Sequence, residues 1–431
     1  MNKKFVFLWF IIGLGSGVRL VASLTLAEAV VLASAFFVIP TEYHYMERNG
    51  VASFFVLSLM LVAGCILAII VNQTRLFFAL RGLAVTSILA CSIPFSHYLL
   101  RNYPNGFKWM LVGFLVCTLF RALQADFFIL LSDDVDAFSL KGLIRSFLMI
   151  PVQAWYMQLP LSICILAPIA VVLFSMTKTV SGRGTALGCI AFTILVLIGK
   201  HSPRSMRRVC QHFWKFVLGG MVLVILLNGF YGLAANKGWL GERGRRKYVT
   251  QTQGENSIGR LLLGGRAAAF VGLLGCRDHP IIGMGPWALD NKGYREEFIV
   301  KYGTDVDVAA IMRNDSAGKY NGLYLIPCHS HITECWLWYG IFGLLFWVYL
   351  FFVFMRYLKE DCYIVPQWFA WVACSIPGLM WDIAFNPLSN RIYIPMIGVA
   401  CLIVRAVRRG RVILPGVGRK IVKWGEQRET L

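Results

Sequence analysis

The sequence predicts an all-α polytopic membrane protein with about twelve transmembrane helices and one large loop on the external side. Three observations predict it. Of the 431 residues, 58% are hydrophobic, and the mean hydropathy is +0.64; a soluble domain is close to half apolar. Apolar runs of about 18 residues or more recur along the chain, each long enough to cross roughly 30 Å of hydrocarbon. Lys and Arg gather in short connections and in the tail "RAVRRGRVILPGVGRKIVKWGEQR", as they do on the cytoplasmic side of membrane proteins.

Taken in order, "MNKKFVFLWFIIGLG" reads as a first span and not as a cleavable signal peptide, because no small-residue cleavage site follows the apolar run. Spans are expected near 5–18, 24–40, 52–72, 76–99 and 106–123, then 138–157, 158–177, 183–199 and 213–233, and finally 332–356, 366–384 and 390–407. The segment at 138–157 carries Lys141 and Arg145, and hydropathy alone would not choose it. Parity demands it. "MNKK", "KHSPRSMRRVCQHFWK" at 200–215 and the tail are all basic, and an even number of crossings puts all three on the cytoplasmic side. The chain then divides into N-terminal transmembrane helices over 1–233, a large external loop over 234–330, C-terminal transmembrane helices over 331–407 and a basic cytoplasmic tail over 408–431. Loops beyond about 15 residues are usually functional. Within this one, "LLLGGRAAAFVGLLG" is apolar enough to lie as short helices along the membrane surface. Neither repeated six-span halves nor paired broken helices are visible, and those are the marks of a secondary transporter.

The basic loops and tail account for the formal charge of +20, so membrane lipids are expected partners and nucleic acid is not. The 12 cysteines form no CxxC pair, which indicates neither a zinc site nor a redox motif. Most, such as Cys65, Cys117, Cys189 and Cys401, lie inside apolar runs, where a thiol acts as a small hydrophobe. Cys276 and Cys328 fall in the large loop, as free thiols or as a disulfide, with free thiols the preferred reading.

The large loop ends in "PCHSHITECW", residues 327–336. Imidazoles at His329 and His331 can accept a proton near neutrality. Pro327 suits the first turn of a helix, which would set both histidines at a helix N-terminus. The helix dipole there disfavours imidazolium and attracts anions, and a neutral imidazole is a ready general base. Two positions apart on a helix is about 200° of rotation, so the two histidines cannot serve one site equally. His331 and Glu334, three apart, share a face.

His329-Ser330, nine residues, Gly340, two residues, Gly343: this spacing resembles the pattern of bacterial O-antigen ligases and the related O-antigen polymerases. In that pattern the first histidine is catalytic. The resemblance makes His329 the expected base, Ser330 a residue that orients the imidazole or the acceptor, and His331 the runner-up base. Gly340 and Gly343 would lie on one helix face and admit a neighbouring helix. Two further stretches are similar to the family. "GGRAAAFVGLLGCRDHPIIGMGPWAL" at 264–289 resembles its external-loop segment: Arg266 matches the arginine, Asp278, His279 and Pro280 end a short helix, and Gly283 and Gly285 allow a tight turn. "TVSGRGTALGCIAF" at 179–192 resembles its Ser-Arg-Gly motif, with Arg183 as the arginine, although Gly182 separates Ser181 from it.

The resemblance implies a GT-C-type membrane glycosyltransferase at the periplasmic face of the bacterial inner membrane. It implies an undecaprenyl-pyrophosphate-linked glycan as donor and a sugar hydroxyl as acceptor, on lipid A–core or on another lipid-linked glycan. His329 would take the acceptor proton in one inverting displacement, Arg183 and Arg266 would bind the donor pyrophosphate, and no cofactor or metal would take part. The arginines also have a physical case of their own: guanidinium groups grip phosphate oxygens bidentately and offset charge that grows on a leaving diphosphate. The alternative is that they reach up to lipid phosphates. Arg260 and Arg277 are weaker candidates of the same kind. The Asp-x-Asp stretches at 133–136 and 305–307 offer a metal-binding alternative with oxygen ligands. Trp287, Trp336 and Trp338 are expected at the membrane interface, with stacking on sugar rings as the other reading. Leu344 and Leu345 stand where some ligases carry two threonines, so a polymerase is the nearest alternative; a flippase or transporter of lipid-linked glycans is the alternative from another class.

Overall fold

The computed structural model describes residues 3–16, 18–21, 24–107, most of 109–117, scattered positions between 208 and 249, 269–302, 319–320, 323–361, 369–386, 388 and 391–410. These residues are predominantly helical. The first elements are α1 (Lys3–Gly15), a small hairpin of β1 (Arg19–Val21) and β2 (Leu24–Thr25), α2 (Leu26–Arg48), α3 (Ala52–Val71) and α4 (Leu76–Asn102). A helix over 269–278, here α5, is followed by α6 (Tyr294–Tyr302) and a second hairpin, β3 (Lys319–Tyr320) and β4 (Leu323–Tyr324). The chain then forms α7 (His331–Tyr339), α8 (Ile341–Arg356) with a π turn at Tyr357–Asp361, α9 (Phe369–Phe385) and α10 (Tyr393–Arg408).

Among the described residues, four helices are long and apolar enough to cross a membrane: Leu26–Arg48, Ala52–Val71, Leu76–Asn102 and Ile341–Asp361. The chain is therefore a helical membrane protein. Phe36 and Phe37 stand 83% and 80% exposed on α2, which is the expected outward face of a helix whose solvent is lipid. The opposite faces pack into one core through Phe54, Leu61, Leu89, Phe346 and Ile397.

Several expected boundaries move. The first expected span, 5–18, is a 13-residue helix ending at Gly15, about 20 Å long at 1.5 Å per residue. Gly15 ends against the start of α2, where a Cβ would lie 2.8 Å from Ala27 N. The expected 24–40 span continues through Pro40 to Arg48; its Glu42 is buried against α4, as described below. α2 starts at a capping box: Glu28 N donates to Thr25 Oγ1 at 3.3 Å and Thr25 N to Glu28 Oε2 at 2.8 Å. α3 lies where 52–72 was expected. The largest correction is at 332–356, which is not one span. It is broken at Gly340 (φ 63°, ψ −146°) into α7 and α8. The expected spans at 138–157, 158–177 and 183–199 lie outside the described residues.

α2, α3 and α4 run up, down and up beside one another, with α8 and α10 packed on α3 and α4. One end of this bundle gathers the start of α2, the 72–75 turn, the start of α4, the α7–α8 break and the start of α10. The site sits there. The other end holds Glu42, His97 and Arg101, together with Arg408 paired to Asp361 at 2.7 Å.

Candidate active site

His329 is delivered by strand-like pairing inside the large loop. Asp290 N donates to Tyr324 O at 2.8 Å and Ile326 N to Ala288 O at 2.9 Å. Buried Arg295 fastens the pair from beneath, donating from Nη2 to Leu325 O at 2.6 Å with its guanidinium 4.8 Å from the Tyr324 ring centre. Asp290 holds the start of α6, accepting from Tyr294 N at 2.7 Å and Arg295 N at 3.0 Å. The 326–330 segment thus leaves a fixed platform and runs directly into α7.

α7 begins at His331, four positions after the Pro327 expected in its first turn. Ser330 is its N-cap, extended at φ −158° and ψ 128°, and Ser330 Oγ accepts from Thr333 N at 3.2 Å. The same hydroxyl donates to Ile383 O at 3.3 Å, which ties α7 to the end of α9. Ser330 is therefore a helix cap, not a residue holding the imidazole. Pro327 lies three residues ahead of the cap and not in the first turn. His329 precedes the cap in extended chain, so the helical rotation argued for the two histidines does not apply to it.

The two histidines have different surroundings. His331 is 0% exposed, and its ring centre is 4.8 Å from that of Trp347 in α8. His329 is partly exposed. Glu334 is buried, and its Oε2 accepts from Leu388 N at 2.7 Å, so the expected His331–Glu334 face has a packing half and a hydrogen-bonding half.

Gly340 and Gly343 do not share a helix face. Gly340 is the break itself, and Gly343 is the second close approach, since a Cβ there would overlap the Cys335 carbonyl. The loop turn at 281–285 fills the break. Met284 N and Gly285 N donate to Leu337 O and Trp338 O at 2.7 and 3.1 Å, and Ile341 N donates to Ile281 O at 3.0 Å. Gly283 and Gly285 take φ of 80° and 83° to do so. A broken helix at membrane depth must find partners for its freed backbone groups; here the Gly-x-Gly turn supplies them.

The same turn docks on α3 and α4. Asn72 Nδ2 donates to Gly283 O at 3.1 Å. Pro286 presses on Gly82, where a Cβ would lie 2.5 Å from its Cγ. Trp287, at φ 55°, lies 4.5 Å from Trp338 between ring centres and carries the Arg81 guanidinium 4.2 Å from its own. Trp336 Nε1 donates to Pro280 O at 3.0 Å. Across the mouth, Arg391 Nε meets Glu28 Oε1 at 2.8 Å, and Arg391 Nη2 meets Glu28 Oε2 at 3.2 Å.

Of the expected donor-binding arginines, Arg183 and Arg266 lie outside the described residues, as does Arg260. Arg277 is described and is committed elsewhere: it pairs with Asp278 at 2.9 Å and Glu297 at 3.1 Å on the loop surface. The Arg277 hydrogen bond holds the Asp278 carboxyl below its usual range. Cys276 and Cys328 are free thiols, and burial pushes the Cys276 thiol up to about 12. Both Asp-x-Asp stretches lie outside the described residues.

Charged residues of this end that were not anticipated include Arg81, Arg391 with its partner Glu28, and Asp382. Asp382 is buried one residue from the Ile383 carbonyl that Ser330 contacts, and it accepts from Asn386 Nδ2. It is the one acidic residue of α9. A lone carboxylate within an apolar helix is itself a functional signal, so Asp382 was legible. Arg81 and Arg391 were not, because only the packing brings residues so far apart in sequence to one mouth. Comparison of the chain with protein-family models, curated proteins and solved structures found no match.

Proposed function

We propose that the chain is a membrane glycosyltransferase of the O-antigen ligase type, moving a glycan from undecaprenyl pyrophosphate to a sugar hydroxyl at the periplasmic face of a bacterial inner membrane. The observation that carries this reading is His329 itself: a partly exposed imidazole on a fixed segment of the large loop, one residue ahead of a capped helix. His331, by contrast, is sealed against Trp347, which favours His329 as the base.

In this reading His329 takes the proton of the acceptor hydroxyl as its oxygen attacks the anomeric carbon. The bond from that carbon to the diphosphate oxygen breaks, with inversion. The products are the new glycoside, undecaprenyl pyrophosphate and a proton held on His329. Arg183 and Arg266 offset the charge that grows on the diphosphate, without metal. A polymerase shares every step and differs only in its acceptor, a second lipid-linked glycan.

The test uses purified full-length protein, lipid-linked glycan donor, each candidate acceptor and excess EDTA. Wild-type protein transfers the glycan, and the acceptor that is consumed separates ligase from polymerase. His329→Ala is expected to lower the rate by about 10²–10⁴-fold, the usual contribution of a general base, with unchanged elution on size exclusion. A His329→Ala protein that transfers at the wild-type rate sinks the proposal.

One observation favours a second reading. A helix broken at Gly340, with loop backbone inserted, is the device by which many transporters build a binding site. A flippase reconstituted in vesicles moves intact lipid-linked glycan between leaflets and releases no free undecaprenyl pyrophosphate, whereas the transferase does the reverse.

A further inference from the structure

We propose that the ends of α8 and α10 form a binding site for the headgroup phosphate of an anionic membrane lipid, with Arg405 and Arg409 as its phosphate-binding residues. The site is separate from the His329 mouth, at the opposite end of the bundle. α10 is buried from Ile394 to Val407 except at Arg405, so a long cationic side chain opens outward at one place on an otherwise sealed stretch of helix. Arg409, exposed, lies one turn further along the same face. Ionisable groups within an apolar helix are rare and mark functional positions.

The carboxylates of this corner are already committed. α8 ends in the π turn at Tyr357–Asp361, and α10 packs against that turn. Arg408 Nη1 donates to Asp361 Oδ1 at 2.7 Å and to Glu360 O at 2.9 Å, and Asp361 is buried. Arg356 Nε donates to Glu360 Oε2 at 3.1 Å. Arg405 is three positions from Arg408 and so shares its face of the helix. Among the described residues, no carboxylate forms an ion pair with Arg405 or Arg409. With exposed Lys359 in the turn, five cationic groups stand against two carboxylates here.

α8 sets this excess charge at the depth of a headgroup. Leu345 and Phe352 are 42% and 66% exposed, and with partly exposed Tyr349 and exposed Arg356 they recur three and four positions apart on one face. That outward stripe is apolar until its last member, Arg356, about 6 Å beyond Phe352 along the helix. Acyl chains lying on the stripe bring a lipid phosphate level with Arg356 and the end of α10. Basic groups between helix ends at a bilayer surface take anionic headgroups. A guanidinium fork grips two phosphate oxygens at once, which an ammonium does not.

The experiment is native mass spectrometry of full-length protein released from detergent and titrated with phosphatidylglycerol, phosphatidylcholine or glycerol phosphate. Wild type is expected to bind phosphatidylglycerol in preference to phosphatidylcholine. Arg405→Gln combined with Arg409→Gln is expected to bind it roughly 10- to 100-fold more weakly, as for loss of charged hydrogen bonds, and Arg405→Lys to fall between. Arg48→Gln removes an exposed arginine from the same end of the bundle, at the end of α2, and is expected to leave the affinity unchanged. An equal loss in Arg48→Gln would reduce the effect to diffuse basic charge and overturn the site. Equal affinity for the two lipids overturns it as well, and so does wild-type affinity in the folded double variant. If the double variant does not fold, wild-type affinity in Arg409→Gln alone, a change at an exposed position, overturns it. Glycerol phosphate bound as tightly as phosphatidylglycerol would make the ligand a soluble phosphate ester and overturn the lipid assignment.

Discussion

Gly340 takes φ 63° and ψ −146°, a region that only glycine occupies at low cost, and a Cβ would overlap the Ile281 carbonyl. Another residue there meets a backbone penalty of about 1–3 kcal/mol and a clash besides. Gly50 makes the comparison clean, since its φ is 71° but nothing lies within 4 Å of its missing Cβ. Gly340→Ala is therefore expected to lose the folded protein or lower its apparent melting temperature by far more than Gly50→Ala; equal melting temperatures for the two variants would refute the stitched break. The spacing of His329, Gly340 and Gly343 was legible, whereas the work of the glycines was not. Their spacing suits a smooth helix face, and only the loop turn at 281–285, some fifty positions earlier, explains why the chain must break. For the same reason the sequence read Ser330 as an orienting group: nothing local says that its hydroxyl serves a helix end and Ile383 O.

α3 and α2 show why one span was read well and another poorly. α3 is continuously apolar, with its ends set by polar turns, and hydropathy alone finds it. α2 carries Pro40, Glu42, His44, Glu47 and Arg48, and read locally these end a span. Glu42 continues it because α4 supplies its partners, while His44, Glu47 and Arg48 stay exposed. Glu42 and His97 are both 0% exposed; Glu42 Oε2 is 2.7 Å from His97 Nδ1, and Glu42 Oε1 is 2.6 Å from Arg101 Nη2. Asn49 Nδ2 lies 2.7 Å from His97 Nε2, and Tyr45 lies under the Arg101 guanidinium at 3.8 Å. This is a charge clamp between two parallel helices. Removing one partner of a buried pair costs about 3–5 kcal/mol, while replacing both by apolar groups is far gentler. Glu42→Leu is expected to destabilise the protein strongly, and Glu42→Leu with Arg101→Leu to recover part of that loss, read as thermal unfolding in detergent. A double variant less stable than Glu42→Leu would contradict the clamp.

At the scale of the whole molecule, the two ends of the bundle differ in character, and this difference makes the orientation testable. One end gathers His329, Glu334, Arg81 and the Arg391–Glu28 pair, covered by residues 281–290 of the large loop. The other gathers Arg48, Arg101, Arg356 and Arg408 at helix C-termini, where basic side chains also complement the helix dipole. Excess Lys and Arg marks the cytoplasmic side, so the His329 end should face away from the cytoplasm. A transferase fed by lipid-linked glycan in the outer leaflet needs that orientation. Glu47 and Arg75 are exposed positions at opposite ends. In spheroplasts, a membrane-impermeant maleimide is expected to label Arg75→Cys readily and Glu47→Cys only after the membrane is opened. The reverse pattern would put His329 in the cytoplasm, separate it from any donor in the outer leaflet, and end the transferase reading whatever the chemistry of the imidazole.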